Sequence, residues 1–135
     1  MRKTTILLLL LTALLTLCAC GGDVSKVNIS IPEKSDLYTT KEIEDAIDTA
    51  MDYFKKEFDG CTLTEIAYAG DDRSNDYAEW AQRIGGDEVI VLVSSFDVDA
   101  SGGDGSLNPN STYTKWMWIL AREEGGKWQH VDHGY

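Results

Sequence analysis

The chain has 135 residues, of which 12 are Lys or Arg and 23 are Asp or Glu, giving a formal net charge of −11. That length supports one hydrophobic core. So acidic a body lacks the basic surface that displaces counterions from nucleic acid, and it is repelled by anionic lipid.

Arg2 and Lys3 precede an apolar run from Ile6 to Leu17, shorter than the roughly 20 residues of a comfortable membrane span. Leu17-Cys18-Ala19-Cys20, followed by Gly21-Gly22, resembles the lipobox of bacterial lipoproteins. The resemblance implies cleavage before Cys20 and acylation of its sulfur; a plain secretory signal or a short membrane anchor is the competing reading. Residues 1–19 are therefore expected to be a lipoprotein signal peptide, 20–35 a lipidated tether and 36–135 a single α+β domain. Loss of Arg2 and Lys3 takes the net charge from −11 to −13. An acyl anchor of two or more chains then supplies the membrane attachment that charge opposes, with the domain on the extracytoplasmic face. Cys61 is the one thiol left after processing. It reads as a small buried hydrophobe rather than a reactive group.

Within the tether, Val27-Asn28-Ile29-Ser30-Ile31 alternates as a short edge strand stopped by Pro32. Thr39 and Glu42 have capping-box spacing, flanked by a Tyr38/Ile43 staple. Ile43, Ala46, Ile47, Ala50, Met51, Phe54 and Phe58 form one apolar helical stripe, and Gly60 stops it. Cys61 to Ala69 reads as a strand whose Leu63 and Ile66 are out of phase, which predicts a bulge or bend. Gly70 to Asn75 reads as a polar turn. Asp76 to Ile84 reads as a short helix with Tyr77, Trp80, Ala81 and Ile84 on one face. Glu88 to Val98 is a strand apolar on both faces, and a long Gly- and Asp-rich loop follows. Tyr113 to Arg122 and Trp128 to Asp132 are strands joined by a Glu124–Lys127 turn. Early helices followed by consecutive strands indicate an α+β class, with a long N-terminal helix on an antiparallel sheet.

Ser94 to Tyr113, the Trp116-x-Trp118 pair and the Gly134-Tyr135 ending resemble a group of uncharacterised lipoproteins of Gram-positive bacteria. That group is similar to the NTF2-like and cystatin-like folds, in which a curved antiparallel sheet wraps a long helix. The resemblance implies the fold but no particular activity.

Three constellations could carry function. Asp97, Asp99 and Ser101, with Gly102 and Asn108, overlay on the EF-hand pattern D-x-D-x-S-G, a candidate calcium loop. Asn108 replaces the usual bidentate Glu, however, and a strand rather than a helix leads in; a flexible hairpin loop is the alternative. Trp116, Trp118 and Trp128 could form a ligand platform or simply fill the core. Trp116, Trp118 and Leu120 share one face of their strand, Met117, Ile119 and Ala121 the other. One face lies under the long helix; the other needs a cover from the edge strand, the second helix or another molecule. His130 and Asp132 are expected to point the same way, with His133 opposite, a pair suited to a general base in a small NTF2-like enzyme. The sequence as a whole points to a non-catalytic binding module with a protein partner, a second copy of itself or a small apolar ligand, and to no cofactor other than calcium.

Overall fold

The computed structural model describes residues 21–135, so the expected signal peptide and Cys20 lie outside the described residues. The chain is α+β. It forms β1 (Asn28–Ser30), α1 (Thr40–Glu57), β2 (Cys61–Tyr68), α2 (Asp71–Asp76), a 3₁₀ helix (Ala78–Ile84), β3 (Glu88–Val98), β4 (Thr112–Arg122) and β5 (Gln129–Gly134). The five strands lie side by side in chain order. The sheet is mixed rather than antiparallel: β1 runs parallel to β2, and the later pairs are antiparallel. Parallel neighbours need a crossover, which α1 provides by carrying the chain back along one sheet face.

Helix α1 begins where its capping box dictates. Thr39 Oγ1 accepts from the Glu42 amide at 3.2 Å, and Glu42 Oε2 accepts from the Thr39 amide at 2.7 Å. Its stripe buries Ile43, Ala46, Ile47, Ala50 and Phe54 against the sheet. Each of the larger side chains contributes roughly 1.5–3 kcal/mol of transfer free energy. Ile66, Ile90, Leu92, Phe96, Trp118, Leu120 and Trp128 complete this principal core. Cys61 is buried in it, and burial, with nearby carboxylates, pushes its thiol up to about 11.

The stretch expected as a tether is laid against this body. The Gly22 amide donates to the Lys55 carbonyl, and Asp23 exchanges backbone hydrogen bonds with Cys61 and Leu63. A Cβ at Gly22 would lie 2.5 Å from the Phe54 carbonyl oxygen, so only glycine permits so close an approach.

The expected turn from Gly70 to Asn75 is helical instead. Asp71, at the start of α2, accepts from the Ser35 hydroxyl, the Asp36 amide and the Tyr68 phenol. Ser74 is buried and its hydroxyl accepts from the Val91 amide. These bonds fix a six-residue helix that would be marginal alone. The following segment winds as a 3₁₀ helix and lays Ala81, with Tyr77, Trp80 and Ile84, on Val89, Val91, Ile119 and Ala121. The second apolar sheet face therefore has an intramolecular cover.

Three bulges govern side-chain direction. Register slips by one residue between Leu63 and Glu65 in β2, across Ser94–Phe96 in the β3/β4 pairing, and at Ile119/Leu120 in the β4/β5 pairing. An extra residue reverses the two-residue alternation, so side chains three apart come to share a face. Leu63 and Ile66 both enter the principal core in this way, as their sequence phase predicts. Tyr113 and Trp116 do the same across Lys115, which adopts a left-handed φ of 56°.

Candidate functional site

The third bulge changes the reading of the C-terminal strand. Leu120 pairs with His130, Ile119 with Asp132 and Trp118 with His133, which leaves Val131 as the extra residue. His130 and His133 therefore face α1 together, and Asp132 faces the other way. Asp132 lies 3.6 Å from Arg83, whose guanidinium covers the Trp80 ring at 3.4 Å. The expected His130/Asp132 general-base pair is thus split across the sheet. An irregularity in pairing cannot be read from residue alternation, which assumes its absence.

The two imidazoles meet instead. His130 Nε2 and His133 Nδ1 are 2.9 Å apart and share one hydrogen bond. Tyr53 from α1 stacks on His130, centroids 3.8 Å apart and 12° from parallel. Phe58, Trp116 and Trp118 surround His133 at 5.2–5.8 Å. Burial pushes His130 down to about 4, with the neighbouring His133 adding to the effect, and burial also lowers His133. Both rings are neutral at physiological pH.

Beside this pair, the mouth of the helix–sheet cleft opens as a cavity of about 190 Å³. Tyr53, Phe58, Trp116 and His133 form its aromatic walls; Leu107 and Ser106 come from the long loop, and Glu57 and Asp104 also line it. Trp116 is half-buried, and its indole N–H is fully buried with no hydrogen-bond acceptor. Such an orphan donor costs about 1–3 kcal/mol unless another group satisfies it. The other two tryptophans do not form a platform with Trp116. Trp118 is completely buried and donates to the Ser94 hydroxyl at 2.8 Å. Trp128 is buried, donates to the Glu42 carbonyl at 3.0 Å and packs beneath the Arg122 guanidinium.

The long loop is organised by its own hydroxyls. Asp97 accepts from Thr112 Oγ1, Asp99 from the amide and hydroxyl of Ser101, and Asp104 from those of Ser106. Asn108 donates its backbone amide to the Tyr113 phenol. Of the four expected calcium ligands, Asp99 and Ser101 bond each other, while Asp97 is engaged by Thr112 and Asn108 by Tyr113. Among the described residues, no group of three or more His, Cys, Asp or Glu is arranged to hold a metal ion. The loop's contribution to the site is Gly103, Asp104, Ser106 and Leu107 as one wall of the cavity.

Tyr53, Glu57 and Leu107 were not apparent as site residues from sequence, because each lies within a pattern already explained by the helix or the turn-rich loop. Phe58 and Trp116 become neighbours only in the fold, so the sequence carried no signal for this site. Compared with known proteins, the chain matches no family model, no curated protein and no solved structure.

Proposed function

We propose that this chain is a membrane-anchored extracytoplasmic lipoprotein, acylated at Cys20, whose helix–sheet cleft binds a small ligand without catalysis. The cavity carries this reading: a water-accessible space walled by the rings of Tyr53, Phe58, Trp116 and His133, with Ser106, Glu57 and Asp104 as its polar groups. Binding sites of this kind combine apolar walls with a few polar groups that orient the ligand. The packing of one helix on one face of a sheet fits the cystatin-like or NTF2-like resemblance, to which we assign the chain on its sequence features.

Self-association has less support. The two-faced apolar sheet that motivated a homodimer or protein partner is covered on its second face by the 3₁₀ helix. Calcium is no part of this reading, since the loop carboxylates serve separate hydroxyls.

Titration of the full chain in detergent micelles with a hydrophobic dye tests the binding function. Saturable binding, lost when Leu107→Trp fills the cavity, is the expected result; equal binding by the two proteins would overturn it. Intact-mass measurement on membrane-extracted protein tests the anchor. The expected mass begins at a diacylglyceryl-modified Cys20, and an unmodified sulfur there would remove the lipoprotein assignment.

A further inference from the structure

We infer that the cleft cavity takes a small organic cation of the methylated-ammonium class, surrounded by aromatic rings with carboxylates beside it. The inference rests on reading the cavity as a binding site and names the chemistry of its ligand. Tyr53 and Phe58, at the end of α1, and Trp116, on β4, line the same space. Their planes are steeply inclined: 64° between Tyr53 and Phe58, and 88° between Phe58 and Trp116. Rings so inclined meet edge to face rather than stacking flat on one another. An aromatic quadrupole attracts cations, most strongly for Trp, and methylated ammonium groups are its best-known small ligands.

The remaining lining has the matching sign. Glu57 and Asp104 contribute carboxylates, and none of the nine lining residues is Lys or Arg. His133 adds no positive charge, because burial keeps its imidazole neutral. Negative potential from rings and carboxylates therefore disfavours an anion, while a neutral apolar guest gains only from burial. Methylation matters for desolvation. A primary ammonium needs an acceptor for each of its N–H groups when it leaves water, and Asp104 Oδ1 already accepts from the amide and hydroxyl of Ser106, which leaves Asp104 Oδ2 and the Glu57 carboxylate for that task. Methyl groups need no acceptor and pack on ring carbons. The volume of about 190 Å³ exceeds the roughly 150 Å³ of an engineered cavity that holds benzene, so a trimethylammonium head group is of suitable size.

The experiment is calorimetric titration of the full chain in nonionic micelles with choline, and with 3,3-dimethylbutan-1-ol as the neutral isostere. Choline is expected to bind about tenfold or more tightly than the alcohol. Trp116→Leu should abolish that preference, and Glu57→Gln should weaken choline without weakening the alcohol. Equal or tighter binding of the alcohol overturns the cation inference and leaves the binding cavity standing. Failure of both compounds where a hydrophobic dye still binds overturns the inference alone. Failure of compounds and dye together overturns the binding reading as well.

Discussion

His130 Nε2 lies 2.9 Å from His133 Nδ1, although the two residues would lie on opposite faces of a regular strand. The bulge at Val131 brings them together beneath Tyr53, and their location has a consequence for stability. A buried imidazole resists protonation; an unfolded one does not. His130 falls from an ordinary 6.5 to about 4, so over that interval the unfolded chain binds more protons than the folded one. Stability is therefore full above about pH 6.5 and declines as pH falls toward 4, with His133 acting in the same direction.

Thermal melts between pH 7.5 and 4.5 check this. After allowance for partial solvent exposure, the expected loss is on the order of 1–2 kcal/mol. The His130→Gln/His133→Gln variant should lose most of that slope, whatever its stability at neutral pH. A slope unchanged in the double variant would assign the acid sensitivity to carboxylates such as Glu42, which titrate lower.

Arg122 holds the opposite end of the cleft. Its Nε donates to Glu88 at 2.7 Å and its Nη2 to Glu42 at 2.6 Å, while the guanidinium lies over Trp128. Arg122→Ala removes this packing and leaves two carboxylates without their cation, a loss of about 2–3 kcal/mol given that both glutamates are partly exposed. Combining Arg122→Met with Glu42→Gln and Glu88→Gln should recover most of it, because a glutamine side chain also closes a capping box. Urea denaturation of both variants measures the difference.

The cover over the second sheet face can be opened by one substitution. Ala81 sits directly against Val89, Val91, Ile119 and Ala121. Ala81→Arg cannot keep its charge in that contact and should displace the 3₁₀ helix, at about 2–4 kcal/mol. Dye binding should rise and sedimentation should reveal association through the uncovered sheet. A variant that stays monomeric and silent toward dye would show that the 3₁₀ helix is not what isolates this face.

Gly22 tests the seating of the N-terminal segment. Gly22→Val places a side chain against the Phe54 carbonyl and ring. The segment from Gly21 to Ile31 should lift away and become sensitive to limited proteolysis, while the principal core changes by about 1 kcal/mol or less. With the proposed acylation at Cys20, which directly precedes this segment, seating it on α1 would set the domain's orientation at a membrane. Equal protease resistance in variant and wild type would show that close packing at Gly22 does not hold the segment.

Local chemistry made α1 legible in the sequence: the Thr39/Glu42 cap and the Ile43–Phe58 stripe depend on residues three or four apart. The same was true of the Leu63/Ile66 phase break and of the two faces of β4, where Trp118 and Leu120 oppose Ile119 and Ala121. Tertiary structure alone decided the partners. It placed Val131 outside the ladder and so paired His130 with His133 instead of setting it beside Asp132. It turned Asp71–Asp76 into helix through bonds to Ser35 and Val91, and it left Trp116 at a cavity while burying Trp118 and Trp128. Periodicity assigns faces only while register holds; one extra residue reverses them, and where that residue falls depends on the neighbouring strand.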